Sequence, residues 1–152
     1  MRAGTADISS LAAMRIAYLE EDLGSIDTAD REKIQRLLPD YFRDHIDRDL
    51  FAFVEKVNGT VVSAALLLVV EKPSSPNFIN GKIGNVLSVY TVPEYRHRGF
   101  SSKLMNELIA TGKEKGLDYI ELLATEDGHS LYKKLGFCDH KTGYTPMCLY
   151  FR

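Results

Sequence analysis

The sequence predicts a single mixed α/β domain of the α+β kind, a mostly antiparallel sheet with helices on both faces. Three observations predict it. A length of 152 residues fits one domain and lets it bury roughly two-thirds of its unfolded surface. Helical and strand periodicities succeed one another as α, α, β, β, β, α, β, α, β, β. The dipeptide Asn58-Gly59 then joins two of those strands as a hairpin, because both positions tolerate the positive φ of a type I′ turn.

The elements follow in order. Met1 to Ala6 could begin an edge strand. Asp7 or Ser9 can cap the first helix, on which Leu11, Met14, Tyr18 and Leu19 recur at helical spacing. Thr28 or Asp30 can cap a second helix with Ile34, Leu37 and Leu38 on its apolar face. Pro39 lacks the amide a helix interior needs, so two helical pieces are expected around it, the second carrying Tyr41, Phe42, His45 and Ile46. Leu50 to Val57 and Thr60 to Glu71 form the hairpin strands, and the apolar run Ala64 to Val70 implies cover on both faces. A loop through Pro73 to Gly81 leads to a strand over Lys82 to Val92. A helix from Phe100 to about Lys115 carries Leu104, Met105, Leu108 and Ile109 on one face and ends at Gly116. Tyr119 to Ala124 is a short strand, a short helix stops at Gly136, and Phe137 to Thr142 with Met147 to Phe151 are read as a final strand pair.

Composition narrows the function classes. Apolar residues at 45% and charged residues at 26% are those of a soluble globular protein. The formal net charge of -2 carries no basic excess, so no nucleic-acid partner is expected. No apolar run approaches the roughly 20 residues of a membrane span, and the first residues lack the apolar core of a signal peptide; a cytoplasmic protein with no membrane partner is expected. Cys138 and Cys148 lack metal-ligand spacing and do not cluster with the four histidines, which predicts no metal and two buried, reduced thiols.

Chemistry concentrates between Ser88 and Leu104. There a strand runs into a basic turn, Tyr95-Arg96-His97-Arg98-Gly99, which opens directly into an amphipathic helix. A helix start offers unpaired amides and about half a positive charge, which suits a phosphate. Gly99 permits close approach of the backbone, Arg96 and Arg98 add charged donors, and Ser101 and Ser102 add hydroxyls. The second glycine of a dinucleotide fingerprint and the Gly-Lys-Ser/Thr of a P-loop are both missing. By itself the turn is equally compatible with an ordinary exposed basic turn before a surface helix.

The segment Val89-Tyr90-Thr91-Val92-Pro93-Glu94-Tyr95-Arg96-His97-Arg98-Gly99-Phe100-Ser101 resembles the Q/R-x-x-G-x-G/A signature of the GNAT superfamily of acyl-CoA N-acyltransferases. Arg96 and Gly99 match the signature, and Ser101 stands where Gly or Ala is usual. Leu131-Tyr132-Lys133-Lys134-Leu135-Gly136-Phe137 resembles the family's second motif, in the family's order. The resemblance implies acetyl-CoA as cosubstrate, its pyrophosphate on the amides of Arg98, Gly99, Phe100, Ser101 and Ser102, with Arg96 and His97 in the same turn. It implies a pantetheine arm along Tyr90, Thr91 and Val92, paired like an added strand. It further implies that the family's fourth and fifth strands, here Lys82 to Val92 and Tyr119 to Ala124, splay apart to admit the thioester.

The resemblance also implies direct attack of an amine on the thioester, with Tyr132 as general acid for the departing thiolate; a phenol stays protonated at neutral pH. Its second reading is a helix-face tyrosine packed beside Leu131 and Leu135. Ser130 and Thr125 are implied on the cofactor side, Thr125 in place of a usual Asn. No base is assigned: Glu20, Glu21, Asp22 and His45 are candidates, each also readable as a solvated helix end or as packing. An amine acceptor of unassigned identity is expected, and dimers are frequent in the family. The alternative to an enzyme is a non-catalytic acyl-CoA-binding module of the same fold.

Overall fold

The computed structural model describes residues 1–152. Helices α1 (Ile8–Leu23) and α2 (Thr28–His45) lead into β1 (Leu50–Val57), β2 (Thr60–Glu71) and β3 (Lys82–Thr91). Helix α3 (Phe100–Glu114), β4 (Tyr119–Glu121) and α4 (His129–Lys134) follow. The four strands make one sheet in chain order; β1/β2 and β2/β3 pair antiparallel and β3/β4 parallel. Asn58 and Gly59 take φ of 49° and 79°, the left-handed pair that a two-residue hairpin turn requires.

Both faces of the sheet are covered, which is why Leu50 to Val54 of β1 and Ala64 to Val70 of β2 are continuous apolar runs. On one face Leu11 and Met14 of α1, Phe42 of α2 and Ile46 just after it pack on Leu50, Ala52, Val54, Ala64 and Leu66. On the other, Leu104, Met105 and Leu108 of α3 pack on Phe51, Phe53, Ala65, Leu67 and Val86. Alternate residues of each strand thus serve opposite cores. Each large side chain so buried contributes about 1.5–3 kcal/mol.

Three expectations about the helices are corrected. Pro39 sits inside one continuous α2, not between two pieces. The carbonyl it leaves without a partner belongs to Gln35, on the exposed side of the helix, while Leu38, Tyr41 and Phe42 hold the following turn on the core. Asp27, rather than Thr28 or Asp30, caps α2 by accepting from the Ala29 amide at 3.1 Å. At α1 the Asp7 carboxylate turns back to accept from Gly4 N at 3.0 Å instead of capping forward.

The largest departure is C-terminal. Residues 138–152 form no strand and are exposed. Of Phe137 to Thr142 only the first two residues are apolar, and Asp139 is drawn to α4, with His129 Nε2 at 2.8 Å and Lys133 Nζ at 3.4 Å. Cys138 and Cys148 are therefore exposed free thiols, not buried ones. At the other end, Arg2 makes one antiparallel bridge to Phe53, an edge contact shorter than a strand. No helix is long and apolar enough to cross a membrane.

Candidate active site

The turn after β3 is built from two left-handed residues. His97 has φ of 62° and Gly99 has φ of 79°, so the chain reverses within a few residues and enters α3 with Gly99 as N-cap. The first amide of α3 to find a carbonyl is that of Lys103, which donates to Gly99 O at 3.0 Å. The amides of His97, Arg98, Gly99, Phe100, Ser101 and Ser102 donate to no acceptor in the chain. A Cβ built on Gly99 would meet nothing within 4 Å, so open space adjoins the turn at this residue. Free amides at the positive end of a helix of 15 residues are the donors an anion site requires.

The side chains of the turn do something else. Arg96 Nε donates to Thr91 O at 2.8 Å and its Nη2 pairs with Glu21 Oε2 at 2.6 Å, tying the turn to α1. That hydrogen bond is the main cause holding the Glu21 carboxyl below its usual range. Arg98 donates to Glu94 O at 3.2 Å and lies over the Tyr95 ring. Both guanidinium groups, read from sequence as free phosphate donors, are thus engaged by the turn itself or by α1. Ser101 Oγ lies 2.9 Å from Thr91 Oγ1, which lies 2.7 Å from Ser63 Oγ. Three hydroxyls in a row bind the first turn of α3 to β3 and β2.

Next to this turn lies a cleft. Between Ala64 and Leu66 the β2/β3 register shifts, and Ser88 adopts φ of 53°: an extra residue bulges out of β3. On the far side of β3, pairing with β4 is confined to Ile83–Asn85 against Tyr119–Glu121. Beyond that ladder, Val86, Ser88 and Val89 face Leu122, Leu123 and Thr125, with Tyr18 and Tyr132 bounding a small open cleft. The Tyr132 ring packs edge-on against Phe137 with centroids 6.0 Å apart. Burial raises its phenol above the ordinary value, with Tyr18 adding to the shift, so it holds its proton at neutral pH.

The remaining candidates divide. Thr125 lines the cleft, but its Oγ1 accepts from Gly128 N at 3.2 Å, a turn-capping role. Ser130 is exposed and Ser102 half-buried; Tyr90 and Val92 pack against the α1/α2 core, and Thr91 is buried. Among base candidates, Glu20 pairs with Arg31 at 2.5 Å and Glu21 with Arg96, while Asp22 is exposed. His45 stacks on Tyr41 with centroids 4.4 Å apart, and its Nδ1 meets Asp49 Oδ1 at 2.8 Å. No carboxylate or histidine lines the cleft. No cluster of three His, Cys, Asp or Glu is arranged to hold a metal.

Sequence reasoning missed Arg15, Ser88 and Gly128. A Cβ on Gly128 would stand 3.0 Å from Tyr132 Cε2 and 3.2 Å from Thr125 Oγ1, so this glycine lets the tyrosine ring approach the turn before α4 closely. The bulge at Ser88 has no signature in an apolar strand. Arg15 could have been found as a lone cation on an otherwise apolar helix face.

The acetyltransferase (GNAT) family model matches residues 14–137. The chain belongs to the GNAT family. Among solved structures, it is similar to a predicted acetyltransferase from Clostridium acetobutylicum determined with acetyl-CoA, at 26% identity, 97% of this chain, 94% of that chain and a TM-score of 0.84. It is similar to a GCN5-related N-acetyltransferase from Ralstonia eutropha JMP134, at 26% identity, 97% and 96% coverage and a TM-score of 0.81. The fold is shared with glucosamine-6-phosphate N-acetyltransferase from Arabidopsis thaliana, at 17% identity, 100% and 97% coverage and a TM-score of 0.69. No curated protein matches the sequence. This GNAT chain is an acyltransferase of the acetyl-CoA-using family.

Proposed function

We propose that this GNAT protein is an N-acetyltransferase that passes an acetyl group to a primary amine, with Tyr132 as general acid. The observation that carries the reading is the juxtaposition of two features: an open cradle of unpaired amides and, at the adjoining β3 bulge, a cleft walled by a protonated phenol. The cradle fits acetyl-CoA. Amides 98–102 would hold its pyrophosphate, Gly99 leaves room for close approach, and the edge of β3 from Val86 to Thr91 carries no ladder partner on the β4 side. When bound, acetyl-CoA supplies the acetyl group as an activated thioester.

The chain's own residues supply the rest. Arg96, pinned by Thr91 and Glu21, sets the shape of the turn and leaves phosphate binding to the backbone. Tyr132 keeps a proton on Oη for the departing sulfur, and Val86, Val89 and Leu122 line the cleft beside it. With no base lining the cleft, the amine arrives neutral or loses its proton to water.

The test is an acceptor screen. Protein, acetyl-CoA and a panel of amines are followed by thiol release and by mass detection of acetylated product. Thiol release that tracks one chemical class of amine supports the reading. Tight CoA binding without release above background for any amine would leave a non-catalytic binding module instead.

A further inference from the structure

The α1/α2 side of the molecule holds a half-buried cation without an acidic partner. Four of that side's acidic residues are matched, Glu20 with Arg31, Glu21 with Arg96, Asp47 with Arg2 and Asp49 with His45, while Asp22 and Asp44 are exposed. Of the three arginines that are not exposed, Arg31 and Arg96 are in those pairs. The third, Arg15, has no carboxylate partner. It projects from α1 into a narrow recess between Leu11, Met14, Ala64, Leu66 and Ser88. There its Nη1 donates to Ser88 Oγ, its only hydrogen bond, and its guanidinium lies 5.7 Å from the Tyr18 ring centroid.

A guanidinium carries five donors in a planar fork shaped for a carboxylate. Holding it half-buried against a neutral hydroxyl costs free energy that an anionic partner recovers. Burial accordingly pulls the Arg15 pKa down from its ordinary value, and the only titratable groups acting on it are the phenols Tyr18 and Tyr41. Ser88 also belongs to both spaces: it closes the Arg15 recess on one side and lines the Tyr132 cleft on the other.

We infer that Arg15 binds the carboxylate of the acceptor, and that the acceptor is a short amino acid whose amine reaches the Tyr132 cleft past Ser88. The inference rests on the N-acetyltransferase reading for its amine.

Two measurements test it. In the first, glycine, L-alanine and L-leucine are compared with their primary amides as acceptors. The expected result is a kcat/KM at least tenfold higher for the acids, although the amides hold more neutral amine near pH 7.5. Arg15→Met should bring the acids to the level of the amides and leave acetyl-CoA affinity near wild type, and Arg15→Lys should recover part of the preference. In the second, N-acetyl-L-alanine and its amide are titrated into wild-type protein in the presence of CoA, a readout that needs no turnover. The acid should bind at least tenfold tighter.

The failures are separable. Acids that bind and react no better than amides overturn the carboxylate site while the transferase stands. Preferential binding of N-acetyl-L-alanine with no thiol release for any amine overturns the transferase reading and retains the site. Both wild-type comparisons stand even if the Arg15 variants fail to fold.

Discussion

Replacing Tyr132 by Phe removes one oxygen and leaves the packing intact. The ring stays half-buried against Phe137 and Gly128, and the hydroxyl makes no hydrogen bond within the chain. Stability should therefore change by less than about 0.5 kcal/mol. A positioned general acid contributes about 10²- to 10⁴-fold, so turnover should fall by about 3–5 kcal/mol in activation free energy. Because burial raises the phenol above its ordinary pKa, wild-type kcat should show no alkaline decline from this group below about pH 10. Thiol release with saturating acetyl-CoA measures kcat, and thermal unfolding with a CoA titration shows that fold and cofactor site are unchanged. A kcat within threefold of wild type would refute the acid role and leave Tyr132 as packing.

Gly99→Val places a β-branched residue at φ of 79°, which costs about 1–2 kcal/mol, and puts a side chain over the open amides; acetyl-CoA affinity by calorimetry should fall below detection. Thr91→Val leaves the Ser63 and Ser101 hydroxyls without their shared partner, a loss of about 1–3 kcal/mol that should lower Tm by about 3–9 °C. Asp7, held below its ordinary pKa first by its hydrogen bond with Lys56 and then by the Gly4 amide, contributes stability above its unfolded pKa and loses it as pH falls through the folded one. Asp7→Asn should therefore cost about 1 kcal/mol at pH 7 in urea unfolding, the difference from wild type narrowing below about pH 4.

What the sequence made legible was local chemistry. Asn58-Gly59, the basic turn with Gly99, and Gly136 as a left-handed stop at φ of 99° all depend on residues next to one another, and all three hold in the fold. Pro39 went astray because its cost was judged within the helix, whereas Phe42 at 1% exposure anchors the following turn from outside it. The C-terminal strands went astray for the converse reason: the short apolar run Met147 to Phe151 becomes a strand only when an edge pairs with it, and no pairing forms here. Tyr132 was legible through its motif, but Gly128 beneath it was not, since the contact is spatial. Arg15 was hidden in the same way, its isolation visible only once the partners of Arg31 and Arg96 were known.

The row of hydroxyls Ser63, Thr91 and Ser101 has a kinetic consequence. It fastens the first turn of α3 to the middle of the sheet, so the cradle stands in its final shape before any anion arrives. Association then needs one productive collision rather than a collision followed by loop closure. Its rate should follow ligand concentration linearly and fall as salt screens the attraction. Successive ligands can exchange at a seat that stays put.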